Sequence, residues 1–136
     1  MPDESVHLEV HFPDGMSGGV TCVEVQPGRY RLSHSELLLE RPLYYGDVVQ
    51  LEPRPDGAFD FVRRTARASL RRSCFMLTKE QSDAPELEAY LARVTAVGGV
   101  WEVWFGGIML LHLPRGSTFD PRVEWSRDFG SSPTEA

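Results

Sequence analysis

The chain is poor in the residues that usually announce chemistry. It has two cysteines in 136 residues, Cys22 and Cys74, and their spacing is not that of a metal site. Each stands among apolar neighbours, so both are expected as buried, reduced thiols rather than as a disulfide. No glycine-rich phosphate loop, paired CxxC or helical HExxH occurs. The longest apolar run, IMLLHLP, is interrupted by His112 and is far too short to cross a membrane. The opening residues, MPDES, are acidic and are not followed by the apolar stretch of a signal peptide, so the expected location is the cytoplasm.

Lysine is also scarce, because thirteen of the fourteen basic residues are arginine. The net charge of -6 opposes general polyanion binding, which needs a local surplus of cations. That balance reverses in one place, RRTARASLRR, which holds Arg63, Arg64, Arg67, Arg71 and Arg72. What remains is an ordinary soluble composition, 41% hydrophobic and 25% charged, in a chain long enough to bury roughly 68% of its unfolded surface.

The hydrophobic pattern changes character along the chain. From residue 5 to about 77 it has period two, broken by turn residues, which predicts short strands and hairpins. Val6, Leu8, Val10 and Phe12 alternate with His7, Glu9 and His11. VTCVEV and RYRLS flank the turn QPG, and DVVQLEP and AFDFVRR flank RPDG. HSELLLERPLYYG lacks a clean period, and one helical turn before Pro42 is expected. SLRRSCFMLT then reads as a strand. In SDAPELEAYLARVTAVGG, Ser82 or Asp83 can cap a helix, Pro85 suits its first turn, and Glu86 and Glu88 favour its positive end. Leu87, Tyr90, Leu91, Val94 and Val97 supply one apolar stripe, and Gly98 and Gly99 end it.

VWEVWF and IMLLHLP follow, joined by Gly106 and Gly107, which predict a two-residue hairpin turn. Strand, helix, strand, strand is half of a ferredoxin-like unit, with a right-handed crossover making the strands near 70–77 and 100–105 parallel. Pro121 in the remaining sequence suggests that the second half is curtailed. The predicted class is therefore α+β, with an antiparallel β-rich barrel-like part at 1–66, a βαββ part with an extension at 67–130 and a flexible tail at 131–136.

GRYRL, then YGDVVQLEP and DGAFDFVRR, then a strand, a helix and GGVWEVW resemble a family of small bacterial proteins of unknown function marked by a YGDVV-type motif. The resemblance spans about residues 5 to 115 and implies an architecture but no activity. Departure comes at the end, where such proteins often carry a further helix.

Candidate chemistry is thin. His7 and His11 would lie about 13 Å apart on a straight strand, too far for one metal ion, so at most one of them with Glu9 could serve. A strand with its apolar side inward explains the same residues, and no metal or cofactor is expected. Ser33, His34, Ser35 and Glu36 are adjacent but lack triad geometry, and a turn or cap is the expected role. For Asp47 a structural role is predicted, with Gly46 allowing a sharp turn and the carboxylate accepting backbone hydrogen bonds. No catalytic residue is assigned.

Two surface features carry the functional expectation. If residues 62–76 are extended, Val62 faces inward while Arg63, Arg67 and Arg71 form an outward ladder suited to carboxylates or phosphates, with a bulge or edge near Arg64 and Arg72. In VWEVWF, Trp101, Val103 and Phe105 share one side, and Glu102 and Trp104 the other, so one tryptophan is expected at the surface. The expected function is a non-catalytic protein-binding module, immunity- or antitoxin-like, with Arg63, Arg67, Arg71, Glu102 and Trp104 on its partner surface. RNA or single-stranded nucleic-acid binding through Arg63 to Arg72 is the alternative, and an enzyme with a site built from distant residues is the third reading.

Overall fold

The computed structural model describes residues 4–135. They form two compact units, one ending at Ala68 and the other beginning at Ser69. Among them no helix is long and apolar enough to cross a membrane.

The first unit is a closed barrel of β1 (Ser5–His11), β2 (Ser17–Gln26), β3 (Arg29–Leu32), β4 (Val48–Pro53) and β5 (Phe59–Ala66). Successive strands pair antiparallel, and the ring closes where Val10 and His11 of β1 pair in parallel with Phe59 and Asp60 of β5. The alternation expected for the first strand holds for its second half: Val10 is buried, with Leu8 and Phe12 packed against the same core. Val6 departs from it and is exposed. Val20, Cys22, Tyr30, Leu32, Leu43, Val49 and Leu51 complete that core.

β5 breaks period two twice. Its register against β4 shifts between Val48 and Val49 and again between Gln50 and Leu51, leaving Thr65 and Val62 without direct partners. Each extra residue reverses the side to which the next side chains point. The bulge beside Arg64 is the one anticipated. Val62, expected inside, is 41% exposed because of the other.

Two predicted details of the segment before β4 come out differently. Residues 37–41 form turns and bends rather than a helical turn, closed by a bridge between Glu36 and Leu43. Asp47 has the structural role expected and is almost wholly buried. Gly46 takes the left-handed conformation, φ 86°. Asp47 Oδ2 then accepts the Tyr44 N–H at 3.0 Å, and Oδ1 accepts the Ala68 N–H at 2.8 Å, just past the end of β5. Arg64 stands 3.5 Å from the same carboxylate. One side chain therefore ties the start of β4 to the exit of β5.

The second unit is a four-stranded sheet in the order β7-β8-β6-β9, from β6 (Leu70–Met76), β7 (Val100–Trp104), β8 (Ile108–Pro114) and β9 (Thr134–Glu135). β6 and β7 each run antiparallel to β8 between them, so they are parallel to one another, as the crossover requires. The crossover contains α1 (Lys79–Asp83) and α2 (Pro85–Ala96). Ser82 and Asp83 lie inside α1 and cap nothing; Thr78 and Gln81 form a capping box, and Ala84 occupies the N-cap of α2 without a side-chain bond. Pro85 starts α2 as expected, since it has no N–H to leave unpaired.

The turn between β7 and β8 has three residues, Phe105 to Gly107, rather than two. Gly106 and Gly107 have φ of 80° and 81°. A Cβ on Gly107 would lie 2.5 Å from the Leu77 carbonyl oxygen, so no larger residue fits.

The curtailed half is more complete than its sequence suggested. Pro121 opens α3 (Pro121–Phe129) instead of preventing it, and Asp120 caps the helix by accepting the Arg122 and Val123 N–H groups. Thr134 and Glu135 then pair with Met76 and Phe75, so the end of the described chain is a short strand where a loose tail was expected. α2 and α3 cover one face of the sheet, burying Phe75, Leu87, Tyr90, Leu91, Val94, Met109, Leu111, Leu113 and Trp125. The Trp125 indole N–H has no partner among the described residues, which costs about 1–3 kcal/mol. Burial of about 200 Å² of aromatic surface contributes about 5 kcal/mol and outweighs it.

Replacement of Asp47 is expected to be the costliest polar substitution in the barrel. Asp47→Ala leaves two backbone N–H groups and Arg64 unanswered, and a loss of about 3 kcal/mol by chemical denaturation is predicted. Asp47→Asn should recover only part of it, because one oxygen becomes a donor facing an N–H.

Candidate functional site

The arginine ladder does not form. β5 ends at Ala66 and β6 starts at Leu70, so the strand that would have aligned Arg63, Arg67 and Arg71 is interrupted. Arg63 and Arg67 are exposed in the first unit. Arg71 belongs to the second, where its Nη2 donates to the carbonyls of Ser117 and Phe119 at 2.9 and 3.0 Å. It holds the loop before α3 rather than presenting a fork to a partner. The edge expected near Arg72 exists, since β9 pairs only with Phe75 and Met76.

The first histidine strand is occupied by local contacts. His7 Nδ1 lies 3.1 Å from Thr21 Oγ1, and its ring lies over Gly19, where a Cβ would come within 2.2 Å of Nε2. Among the described residues no group of three or more His, Cys, Asp or Glu side chains is placed to hold a metal ion. Ser35 is fully buried and its Oγ accepts the Tyr45 N–H at 2.9 Å, which makes SHSE a turn clamp. The Cys22 thiol is pushed up to about 11 by burial, and Cys74 is also raised by burial, so neither carries an appreciable thiolate near neutral pH. The space lined by Val10, Phe12, Leu32, Glu36, Val49 and Phe61 in the barrel amounts to about 10 Å³, the room of a single water.

A buried polar pair lies on β7 and β8. His112 is 2% exposed, and its Nε2 lies 2.7 Å from Glu102 Oε1, whose side chain is 9% exposed. Glu102, assigned from sequence to the partner surface, is therefore turned into the protein and occupied. His112, read from sequence only as a break in an apolar run, is its partner. The two polar groups are hydrogen-bonded to one another and almost wholly buried.

The exposed feature is the other side of β7. Trp101 pairs with Leu111 and Val103 with Met109, so both side chains are on the helix-covered face. β7 is the last strand on its side, and the cover fails there: Trp101 is 41% exposed, Val103 47% and Phe105, in the turn, 71%. Trp104, assigned to the partner surface, is half-buried on the opposite face. The tryptophan that the structure presents is Trp101. β7 pairs with β8 alone among the described strands, so its outer backbone groups form an open edge beside this stripe. A signal for that existed: in a ferredoxin-like order the strand after the first crossover lies at the sheet edge, and a hairpin gives it only one neighbour.

No family model matches the chain, and no curated protein matches it. Resemblance to the YGDVV-marked proteins thus rests on their motif. Among solved structures the chain is similar to a hypothetical protein from Neisseria gonorrhoeae, with a TM-score of 0.49 and 13% identity, over 96% of this chain and 84% of that one.

Two measurements test this description. Glu102→Ala and His112→Ala should each cost about 2–4 kcal/mol by removing a buried hydrogen bond, and the double variant should cost at least about 1 kcal/mol less than their sum. For Cys22, the folded thiol stays neutral to about 11 while an unfolded one ionises near ~8.5. Between those values the unfolded chain binds fewer protons, so stability should fall as pH rises above roughly 8.5. Denaturation midpoints from pH 8 to 10 should fall less steeply in Cys22→Ala than in the parent chain.

Proposed function

We propose that the protein is a non-catalytic protein-binding module and that the edge strand β7 is its binding element. The observation that carries this reading is the exposure of Trp101 and Val103 on β7, and of Phe105 in the turn after it, beside an open strand edge. Large aromatic side chains are costly to leave in water and are the commonest anchors of protein interfaces. Supporting it, the polar groups that might have built a reaction site are already engaged: Asp47 and Ser35 by backbone N–H groups, and Glu102 with His112.

An immunity- or antitoxin-like role, in which this compact acidic chain occludes a partner protein, is the form this reading takes. Nucleic-acid binding has less support. Arg71 is committed to two carbonyls and Arg64 faces Asp47, which leaves no continuous row of arginines to follow a phosphate backbone.

The test is recovery of crosslinked complexes on a tagged chain, comparing the parent with Trp101→Glu/Phe105→Glu and with Arg63→Ala/Arg67→Ala. Loss of one aromatic anchor costs about 2 kcal/mol, so at least ~30-fold less bound protein is expected from the aromatic variant and no change from the arginine variant. Equal recovery by parent and aromatic variant would refute the proposal. Salt-sensitive recovery of nucleic acid, lost only in the arginine variant, would replace it with the alternative.

A further inference from the structure

We infer that β9 is a releasable strap, held by the Arg122–Glu135 ion pair, that lifts from β6 and returns while α3 and the rest of the sheet stay in place. It lies at the far end of the sheet from β7 and does not depend on the reading of β7 as a binding edge.

Burial ends with α3. Phe129 packs against the core of the second unit, and none of the described side chains after it is buried. Both residues of β9 are exposed. What holds the strand is a two-residue antiparallel pairing, Glu135 against Phe75 and Thr134 against Met76, together with one ion pair. The register accounts for that pair. Phe75 points to the helix-covered face, so Glu135 opposite it points the same way and meets Arg122 of α3, whose Nε donates to Oε1 at 2.8 Å. The two side chains are 62% and 56% exposed, so water and salt compete for the contact and its hold is weak. Two residues are also fewer than a strand usually has, and a segment with few buried contacts opens locally far more often than the whole unit unfolds.

The helix before the strap is fixed. The Tyr90 hydroxyl donates to the Pro121 carbonyl at 2.9 Å, Arg93 binds Glu124 and Asp128, and Trp125 is fully buried. The division between fixed and releasable parts falls at Gly130, which ends α3 in the left-handed conformation, φ 72°. Met76 reports the opening. The Leu77 N–H donates to the Gly107 carbonyl at 2.6 Å, on the β8 side. Amides alternate in direction along a strand, so the Phe75 N–H also faces β8 and the Met76 N–H faces β9. Release therefore adds the Met76 N–H to the side of β6 that β9 leaves uncovered.

The test is residue-resolved amide exchange on the full chain. The Met76 N–H should be protected no more than ~100-fold, and the Phe75 N–H at least ~100-fold more strongly than that. Arg122→Ala, and independently Glu135→Gln, should speed Met76 exchange about 2–5-fold, the worth of an exposed ion pair, with Phe75 exchange and the melting temperature near those of the parent. Salt at about 1 M should speed Met76 exchange in the parent and not in either variant. Met76 exchanging as slowly as Phe75 would overturn the inference, because β9 would then open only with the whole unit. Fast exchange that neither variant nor salt alters would overturn it as well, since the ion pair would not be what holds the strap.

Discussion

A β-strand leaves a row of backbone N–H and C=O groups on each side, and every one must find a partner in protein or water. The two units of this chain answer that requirement in opposite ways. The first rolls its strands into a ring that β5 closes against β1 through Val10, His11, Phe59 and Asp60. The second is an open sheet with the short β9 at one end and β7 at the other. The contrast between closed and open edges, rather than any cluster of reactive groups, is what separates a structural unit from a candidate binding one.

The entry to β4, the exit of β5 and the loop before them are held by a few polar contacts. Asp47 bridges the beginning of β4 and the end of β5 with one oxygen for each N–H, and Gly46 supplies the backbone turn that aims it. Ser35 holds the neighbouring loop through the Tyr45 N–H. Inside the ring the side chains leave space of about one water. The residues that looked most like chemistry in the sequence are therefore the joinery of the barrel.

Much of this was legible beforehand, and the misses have physical causes. Period-two alternation, the QPG and RPDG turns, and the Leu87, Tyr90, Leu91, Val94 stripe identified the strands and α2, because each is a local pattern that burial enforces. Asp47 was readable as a structural acid from the glycine before it. The arginine ladder failed because periodicity was carried across residues 67–69, where the chain changes unit, and bulges in β5 had already turned Val62 outward. α3 was undervalued because Pro121 was read as a breaker, although at the first helical position it removes a donor that would have been unpaired anyway. Glu102 and His112 are ten residues apart and meet only across the hairpin. Which tryptophan is exposed depends on where α2 stops covering the sheet, a tertiary fact with no local signature.

The central claim is that the outer edge of β7 is where this molecule meets a partner. Residue-resolved amide hydrogen exchange measures it directly, because amides that point outward from an edge strand exchange quickly until something pairs with them. The outward amides between Val100 and Trp104 should exchange rapidly in the chain alone and gain at least about tenfold protection once the protein that the chain captures is bound, while the amides bonded to β8 change little. Outward amides that exchange at one rate with and without that protein would contradict it.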